Sequence, residues 1–561
     1  MSNKKALLKK KVPKITEIKK PLIIGGVIFA IAVVGIILGI NFYIETTQTG
    51  DILYFGVSGL PLTIDPIDAT DGVDLDFISQ VTEGLFDIDE NSEIIGNLAK
   101  EYEVSPDGLN ITCPLRQGVK FHDGMPFNAT AVKWNFDRTY RLIDEIWYSW
   151  LWLLPDGRHI INETQKLDDY TVKFILNAPY GPFINLLASV WSNIVSPTAT
   201  PADRFIGGEN DETEYLIGTG PFIIDSFGEN NIILSANPHY WGGKPKIDKL
   251  IFLELTRSQE KALLSGEVHL VQRAGFNEST LNFFRSNRLF NVSDPIPLPY
   301  LETIVMNNKL INYTIRKAIS YAINYSNYLY SSAYVNAKGP IPEGILYHNI
   351  TDINVPYYNL TFARKILKDN LGSKNPQIAS LPLDNNSAWE KLTAESPIAT
   401  YNFSSLMHPK IWGYGVRITE DLKQIGIKVE PINITFTQWL YQAEDIDGDH
   451  RNEVELGYNF WYADYNDPSD FINEWFTNKK IGYNMGQVND TQLQELMEEA
   501  LIETDPIVRR QLYYQIQKRL IEDVCPHVWL HSWIRWDVHV SNLRGWHPYP
   551  YKIMFKSVYF V

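Results

Sequence analysis

The run GNLAKEYEVSPDGLNITCPLRQGVKFHDGMPFNATAVKWNFDRTYR, residues 96–141, decides the fold class. Pro106-Asp107-Gly108 is turn chemistry, because proline presets the backbone and glycine accepts left-handed torsion angles. The segment LNITCPLR alternates as a half-buried strand does, and Asp123-Gly124 supplies a second turn. Asn128 stands where a helix needs a side-chain acceptor for its first free N–H groups, so TAVKWNFDRTYR is predicted as a helix. The same alternation recurs outward. DILYFGV (51–57) reads as an apolar strand, LPLTIDP follows, and DLDFISQVTEGLF carries Leu75, Ile78, Val81 and Leu85 at helical spacing. Strands alternating with helices of this length predict an α/β fold, with mixed sheets covered by helices.

The first fifty residues differ from the rest. Eight lysines (4, 5, 9, 10, 11, 14, 19 and 20) oppose one acid, Glu17, in a basic segment spanning 1–20. Residues 21–44 then contain no charged side chain. A helix of that length reaches roughly 36 Å, enough to cross a hydrocarbon layer of about 30 Å. The expectation is a transmembrane anchor at 21–44, a linker at 45–50, and the rest of the chain on the outer side of the membrane, since basic flanks stay inside. No small-residue cleavage pattern or lipidated cysteine follows the span, which argues against a cleaved signal.

Beyond the span 42 Lys and Arg face 65 Asp and Glu, a net charge of about −23, so nucleic acid is excluded as a partner. Cys113 and Cys525 are the only cysteines, and their spacing does not say whether they pair. Thirteen N-x-S/T sequons start at Asn110, Asn128, Asn162, Asn277, Asn291, Asn312, Asn324, Asn349, Asn359, Asn385, Asn402, Asn433 and Asn489. None precedes the span, and the excess over random placement predicts a glycosylated exterior.

The 96–141 run resembles the signature region of family 5 extracytoplasmic solute-binding proteins of ABC importers, the dipeptide- and oligopeptide-binding type. The resemblance rests on Leu98-Ala99, Asp107-Gly108 and Leu115 to Phe127, and further landmarks follow in the family's order. They are IGTGPFIIDSF (217–227), NPHYWGGKPKIDKLIF (237–252), YTIRKAISYAINY (313–325), YYNLTFARKIL (357–367) and WYADYNDP (461–468). Together they cover roughly 51 to 545. The resemblance implies a two-lobed periplasmic-binding-protein-like fold, class II, type C, with an extra domain. Lobe I is expected at 51–95, 212–297 and 526–561, the extra small domain at 96–211, and lobe II at 298–525.

The enzymatic alternative finds little support in the residues. There is no H-E-x-x-H, C-x-x-C, G-x-S-x-G or phosphate loop, and carboxylate pairs such as Asp464 with Asp467 arise by accident in an acidic chain. A surface glycosidase or peptidase is therefore disfavoured. The resemblance implies instead that Asp464 of WYADYNDP receives a ligand's α-amino group and that Trp461 walls the cleft. Tyr462, Trp412 and Tyr414 are further candidate pocket rings. His122 and Asp123 read as fold, and Asp467-Pro468-Ser469 as turn and cap chemistry for SDFINEWF.

No cofactor is required. EDIDGDHRNEVEL (444–456) spaces oxygen donors as a calcium loop would, through Asp445, Asp447, Asp449, the Arg451 carbonyl and Glu453, although His450 replaces the usual turn glycine. A structural Ca2+ there would brace the hairpin before Trp461. The expected function is a membrane-anchored extracellular receptor that delivers peptides to an ABC permease. The alternatives are an oligosaccharide receptor of the same fold and a surface structural or sensor protein without transport.

Overall fold

The computed structural model describes residues 51–89, 92–207, 215–271, 276–329, 333–444, 454–478, 483–547 and 551–561. The apolar run after Asp51 forms the strand Ile52–Val57, whose Leu53, Phe55 and Val57 are fully buried. It sits inside a seven-stranded sheet between Leu270–Val271 and Lys249–Glu254, which continues through Asn231–Ala236 to Phe222–Phe227. On the other side lie Val538–Val540 and Phe290–Val292. This sheet is the core of lobe I.

A second sheet orders Ile296–Pro297, His527–Arg535, Tyr300–Met306, Leu456–Tyr462, Ala399–Leu406 and Ile427–Ile434, with Tyr334–Asn336 also paired to His527–Arg535. Strand periodicity sends alternate side chains to opposite faces. Val528 and Leu530 pack with the helices Tyr313–Ala322, Leu360–Leu371 and Pro409–Leu422. Trp529 and Leu301 pack with Ser469–Phe476, Thr491–Ile502 and Pro506–Lys518. Lobe II is thus a sheet between two helical layers. His527–Arg535 belongs to it, so the chain returns to lobe I at 536–537, later than the 526 expected.

The two crossings lie side by side. The Ser293 N–H donates to the Asp537 carbonyl (3.0 Å), and the Asp537 N–H donates to Ser293 Oγ (2.9 Å). The buried Asp537 carboxylate holds Arg535 Nε at 2.9 Å and accepts from the Trp546 indole at 3.2 Å.

The small domain is a four-stranded antiparallel sheet, in the order Glu103–Val104, Asn110–Pro114, Thr171–Leu176 and Ile161–Asp168, packed by the helix Ala129–Arg141. Asn128 caps that helix as expected, accepting from the Thr130 and Ala131 N–H groups. Gly108 and Gly124 turn with φ of 69° and 87°, the left-handed region that glycine tolerates best. Asn277, Asn312, Asn359 and Asn385 cap four further helices in the same way. Helix capping therefore accounts for part of the sequon excess.

The signature motifs prove to be scaffold. His122 donates its N–H to the Gly218 carbonyl and places Nε2 2.9 Å from the Gly220 carbonyl, while Asp123 accepts from Ser196 and Thr198. Buried Glu83 gathers Thr219, Tyr240 and Trp241 at 2.7–2.8 Å, so two landmarks converge on one side chain. That clamp also ends the preceding helix, Gly72–Val81, before Leu85, because the Glu83 carbonyl accepts from the Ile194 N–H. Asp65 is equally structural, fully buried against Arg138 at 2.5 Å. Cys113 and Cys525 are both buried free thiols, so they do not pair.

The expected anchor at 21–44 lies outside the described residues. Among the described residues no helix is long and apolar enough to cross a membrane.

Candidate functional site

Strand direction locates the cleft. Tyr300–Met306 follows directly from the first crossing, so Tyr300 marks the end of the lobe II sheet nearest lobe I. Leu456–Tyr462 runs antiparallel to it, with Tyr462 opposite Tyr300, and Ala399–Leu406 and Ile427–Ile434 run parallel with Leu456–Tyr462. The carboxyl ends of all three strands therefore open toward lobe I, where open α/β sheets present ligand crevices.

WYADYNDP is the turn that leaves the strand Leu456–Tyr462. The Ala463 N–H donates to the Pro299 carbonyl (2.8 Å), and the Asp464 N–H donates to Asp470 Oδ2 (2.6 Å). Asp467 is fully buried and takes both arms of the Arg509 guanidinium at 2.6 and 3.0 Å, Asn185 Nδ2 at 3.0 Å and the Ser469 N–H at 2.9 Å. Turn and helix start are thus fixed from the small domain and from the helix Pro506–Lys518 at once.

Asp464 is left facing a small cavity of about 30 Å³, which has room for a water or two. Leu75 and Ile88 of lobe I, Ser189 and Trp191 of the small domain, and Tyr551 close its other sides. Asp464 Oδ2 is sealed from solvent and has no hydrogen-bond partner. Lys552 also lines the cavity, but its ammonium is held by Asp87 at 2.7 Å. Rings form a chain beside it. Trp461 packs on Tyr483 and Trp150 at 5.3 and 6.3 Å between centroids, Trp150 on Tyr148 at 4.7 Å, and Tyr148 on Trp191 at 5.9 Å.

The electrostatics set Asp464 apart from Glu302, another buried acid of lobe II. Burial alone would raise Glu302, but His531 at 3.0 Å and Lys410 at 2.7 Å outweigh it and hold that carboxyl at about 2. Asp464 has no such cation, and burial pushes it up to about 7. Glu474 is pushed up to about 8, by burial first and then by the charge of Asp464. Asp470 is raised well above the ordinary range for the same two reasons.

A carboxyl raised in the folded state binds more protons there than in the unfolded chain. Its stabilising effect is therefore full at low pH and is lost as pH rises toward the folded pKa. The buried His269 and His527, lowered to about 4 and about 3 by burial, act oppositely, but only below the unfolded histidine value of about 6.5. The ligand-free protein is accordingly expected to lose stability between about pH 6.5 and 8, and Glu474→Gln to flatten that slope. Urea denaturation across this range measures it, and a wild-type slope that is flat or rising would contradict the assignment.

Of the residues expected at the pocket, Asp464 and Trp461 come together. Tyr462 turns to the other sheet face, against Tyr300 at 6.3 Å. Trp412 is partly exposed in the first turn of Pro409–Leu422, at the carboxyl end of Ala399–Leu406. Tyr414 is not a pocket ring: it is fully buried in lobe II and donates its hydroxyl to Glu302 Oε2 at 2.9 Å. The reason is helical period, since Ile411, Tyr414 and Ile418 share the core face. Asp445, Asp447, Asp449, Arg451 and Glu453 lie outside the described residues. Among the described residues no group of three His, Cys, Asp or Glu is arranged to hold a metal ion. Sequence reasoning missed Glu474, Tyr148, Trp150 and Tyr483. Only Glu474 carried a signal, its i+4 spacing from Asp470 on SDFINEWF.

Two lobes joined by paired crossings, with an unneutralised carboxylate facing the gap, define a cleft-type solute-binding protein. Residues 93–483, well over half the chain, match the model of bacterial extracellular solute-binding proteins, family 5 (middle region), and the chain belongs to that family. It is 26% identical over 513 residues to the glutathione-binding protein GsiB of Pectobacterium atrosepticum, covering 87% of this chain and 90% of that protein. It is 26% identical over 517 residues to the probable D,D-dipeptide-binding periplasmic protein DdpA of Escherichia coli K12, covering 88% and 91%. Among solved structures, HbpA2 of Haemophilus parasuis superposes with a TM-score of 0.76 at 22% identity, over 91% of this chain and all of that one. DppA of Helicobacter pylori, solved with the peptide STSA, superposes at 0.65 and 24% identity, over 91% and 99%. At these identities the structural likeness speaks for the fold.

Proposed function

We propose that the chain is a membrane-anchored extracellular receptor that captures peptides with a free α-amino end between its lobes and hands them to an ABC permease. The observation that carries the reading is the Asp464 carboxyl, walled by rings, with its Oδ2 sealed from solvent and without a hydrogen-bond partner. A lone buried carboxylate is costly, and an ammonium arriving in a drying cleft compensates it with a charge-assisted hydrogen bond. The relatives support the ligand class, since glutathione and dipeptides both present a free α-ammonium group. Lobe closure follows if the ligand makes contacts in the closed state that it lacks in the open one. The uncharged run at 21–44 with its lysine flank supports the anchor, and removing residues 1–44 is expected to release the protein from membranes.

A thermal-shift screen of short peptides tests the ligand class. A peptide present at a hundred times its Kd stabilises the folded state by about 2.7 kcal/mol. The same peptide acetylated at its amino end, and so uncharged there, is expected to give no shift. Equal shifts from both forms would remove Asp464 from the ligand's path, and shifts from oligosaccharides alone would replace peptides as the cargo.

A further inference from the structure

The wall that carries Asp464 holds three carboxyl groups. Asp470 and Glu474 lie one turn apart on the helix Ser469–Phe476; Asp470 Oδ2 accepts the Asp464 N–H, and Glu474 Oε2, like Asp464 Oδ2, is sealed and finds no donor. Among the described residues no lysine, arginine or histidine forms an ion pair with any of the three. The neighbouring cations are already engaged, Arg509 by Asp467 and Lys552 by Asp87.

The other groups that face the cluster add no positive charge. Tyr148 and Tyr180 come from the small domain and Tyr551 from the C-terminal segment. Asp71 and Asp74, at the helix start Gly72–Val81, act with Asp464 on the Tyr148 hydroxyl, Asp89 lines the cavity, and Asp467 closes the turn. Three carboxylates this close cannot all be ionised in a water-poor wall, and without a cation the relief has to come from protons.

We propose that the empty cleft keeps protons on the Asp464–Asp470–Glu474 cluster and releases one when the ligand's ammonium docks on Asp464, so that capture is coupled to pH. The inference rests on the receptor reading given above. The step balances simply: the carboxyl O–H of the cluster breaks, its proton passes to solvent, and the ammonium N–H donates to the carboxylate left behind. Burial, which pushes Asp464 up to about 7 and Glu474 up to about 8, provides the proton to be released near neutrality. Below about pH 7 the ligand competes with that proton, and affinity falls by up to tenfold per pH unit for one proton exchanged. Above about pH 8 the peptide's own amino group, whose ordinary pKa is about 7.7–8.0, begins to lose its charge. Binding is therefore strongest in a narrow band between the two.

The test uses the full chain and a free-amino peptide chosen from a panel of two to five residues. Calorimetry at about pH 6.5 in buffers of different ionisation heat is expected to show close to one proton released per peptide bound. Glu474→Gln, which removes one competing acid, is expected to release fewer protons and to carry tight binding to lower pH. Infrared difference spectra of the empty protein against Asp464→Asn are expected to show the C=O stretch of a protonated carboxyl at that pH. Binding without proton release, or an empty protein lacking that band, overturns the coupling and leaves the receptor intact. Failure of every free-amino peptide to bind overturns the receptor reading, and the coupling with it.

Discussion

Asp464→Asn is expected to weaken peptide binding roughly 30-fold to several thousand-fold, the equivalent of about 2–5 kcal/mol, while the empty protein keeps its fold. Size and shape are conserved, and the Asp464 side chain makes no ion pair among the described residues whose loss would unfold the turn. The Asp464 N–H bond to Asp470 is a backbone contact and survives. What disappears is the charge an incoming ammonium needs, and the amide that replaces it brings an N–H₂ donor toward another donor. The same substitution removes an uncompensated buried charge, so the ligand-free variant is expected to be at least as stable as the wild type at about pH 8. Calorimetry and urea denaturation together read this opposed pair of effects. Affinity within threefold of the wild type would sink the assignment, and a large loss of stability would recast Asp464 as a structural residue.

The fold was more legible than the site, for physical reasons that particular residues make plain. Asn128, Gly108 and Gly124 announce themselves because capping and left-handed turns are local and demand particular side chains. The signature landmarks were legible for a related reason. Thr219, Tyr240 and Trp241 are tied to one buried acid, Glu83, a constraint that few other side chains satisfy. Asp464 was found through its motif, but its character depends on what surrounds it in space. Glu302, Asp467 and Asp464 are all acids in or near the lobe II sheet, and nothing local says that the first meets Lys410, the second Arg509, and the third no cation. Tyr148 and Trp150 reach the site from more than 300 residues away in sequence, through domain packing alone. Tyr414 went astray because a large aromatic reads as a candidate pocket ring until the helix period places it on the core face with Ile411 and Ile418.

The contrast between Asp464 and Asp467 leads to the second large effect, on stability. Arg509 is almost fully buried, forks onto Asp467 at 2.6 and 3.0 Å, and donates Nε to the Ala500 carbonyl at 3.1 Å. Asp467 in turn receives Asn185 of the small domain and the first N–H of the helix Ser469–Phe476. One ion pair thus ties the small domain, the cleft turn and the helix Pro506–Lys518 together. Arg509→Met leaves a carboxylate buried without its cation, and breaking such a pair on one side costs about 3–5 kcal/mol. Removing both charges is far cheaper, because the desolvation penalty goes with them, so Asp467→Asn combined with Arg509→Met is expected to recover most of the loss. Urea midpoints of the two single variants and the double variant measure the coupling. Because this pair also positions the turn that carries Asp464, Arg509→Met is expected to weaken peptide binding as well, and the double variant to restore stability more fully than affinity. Additive stability losses in the double variant would show that Asp467 and Arg509 act separately and that the cleft turn is held by other contacts.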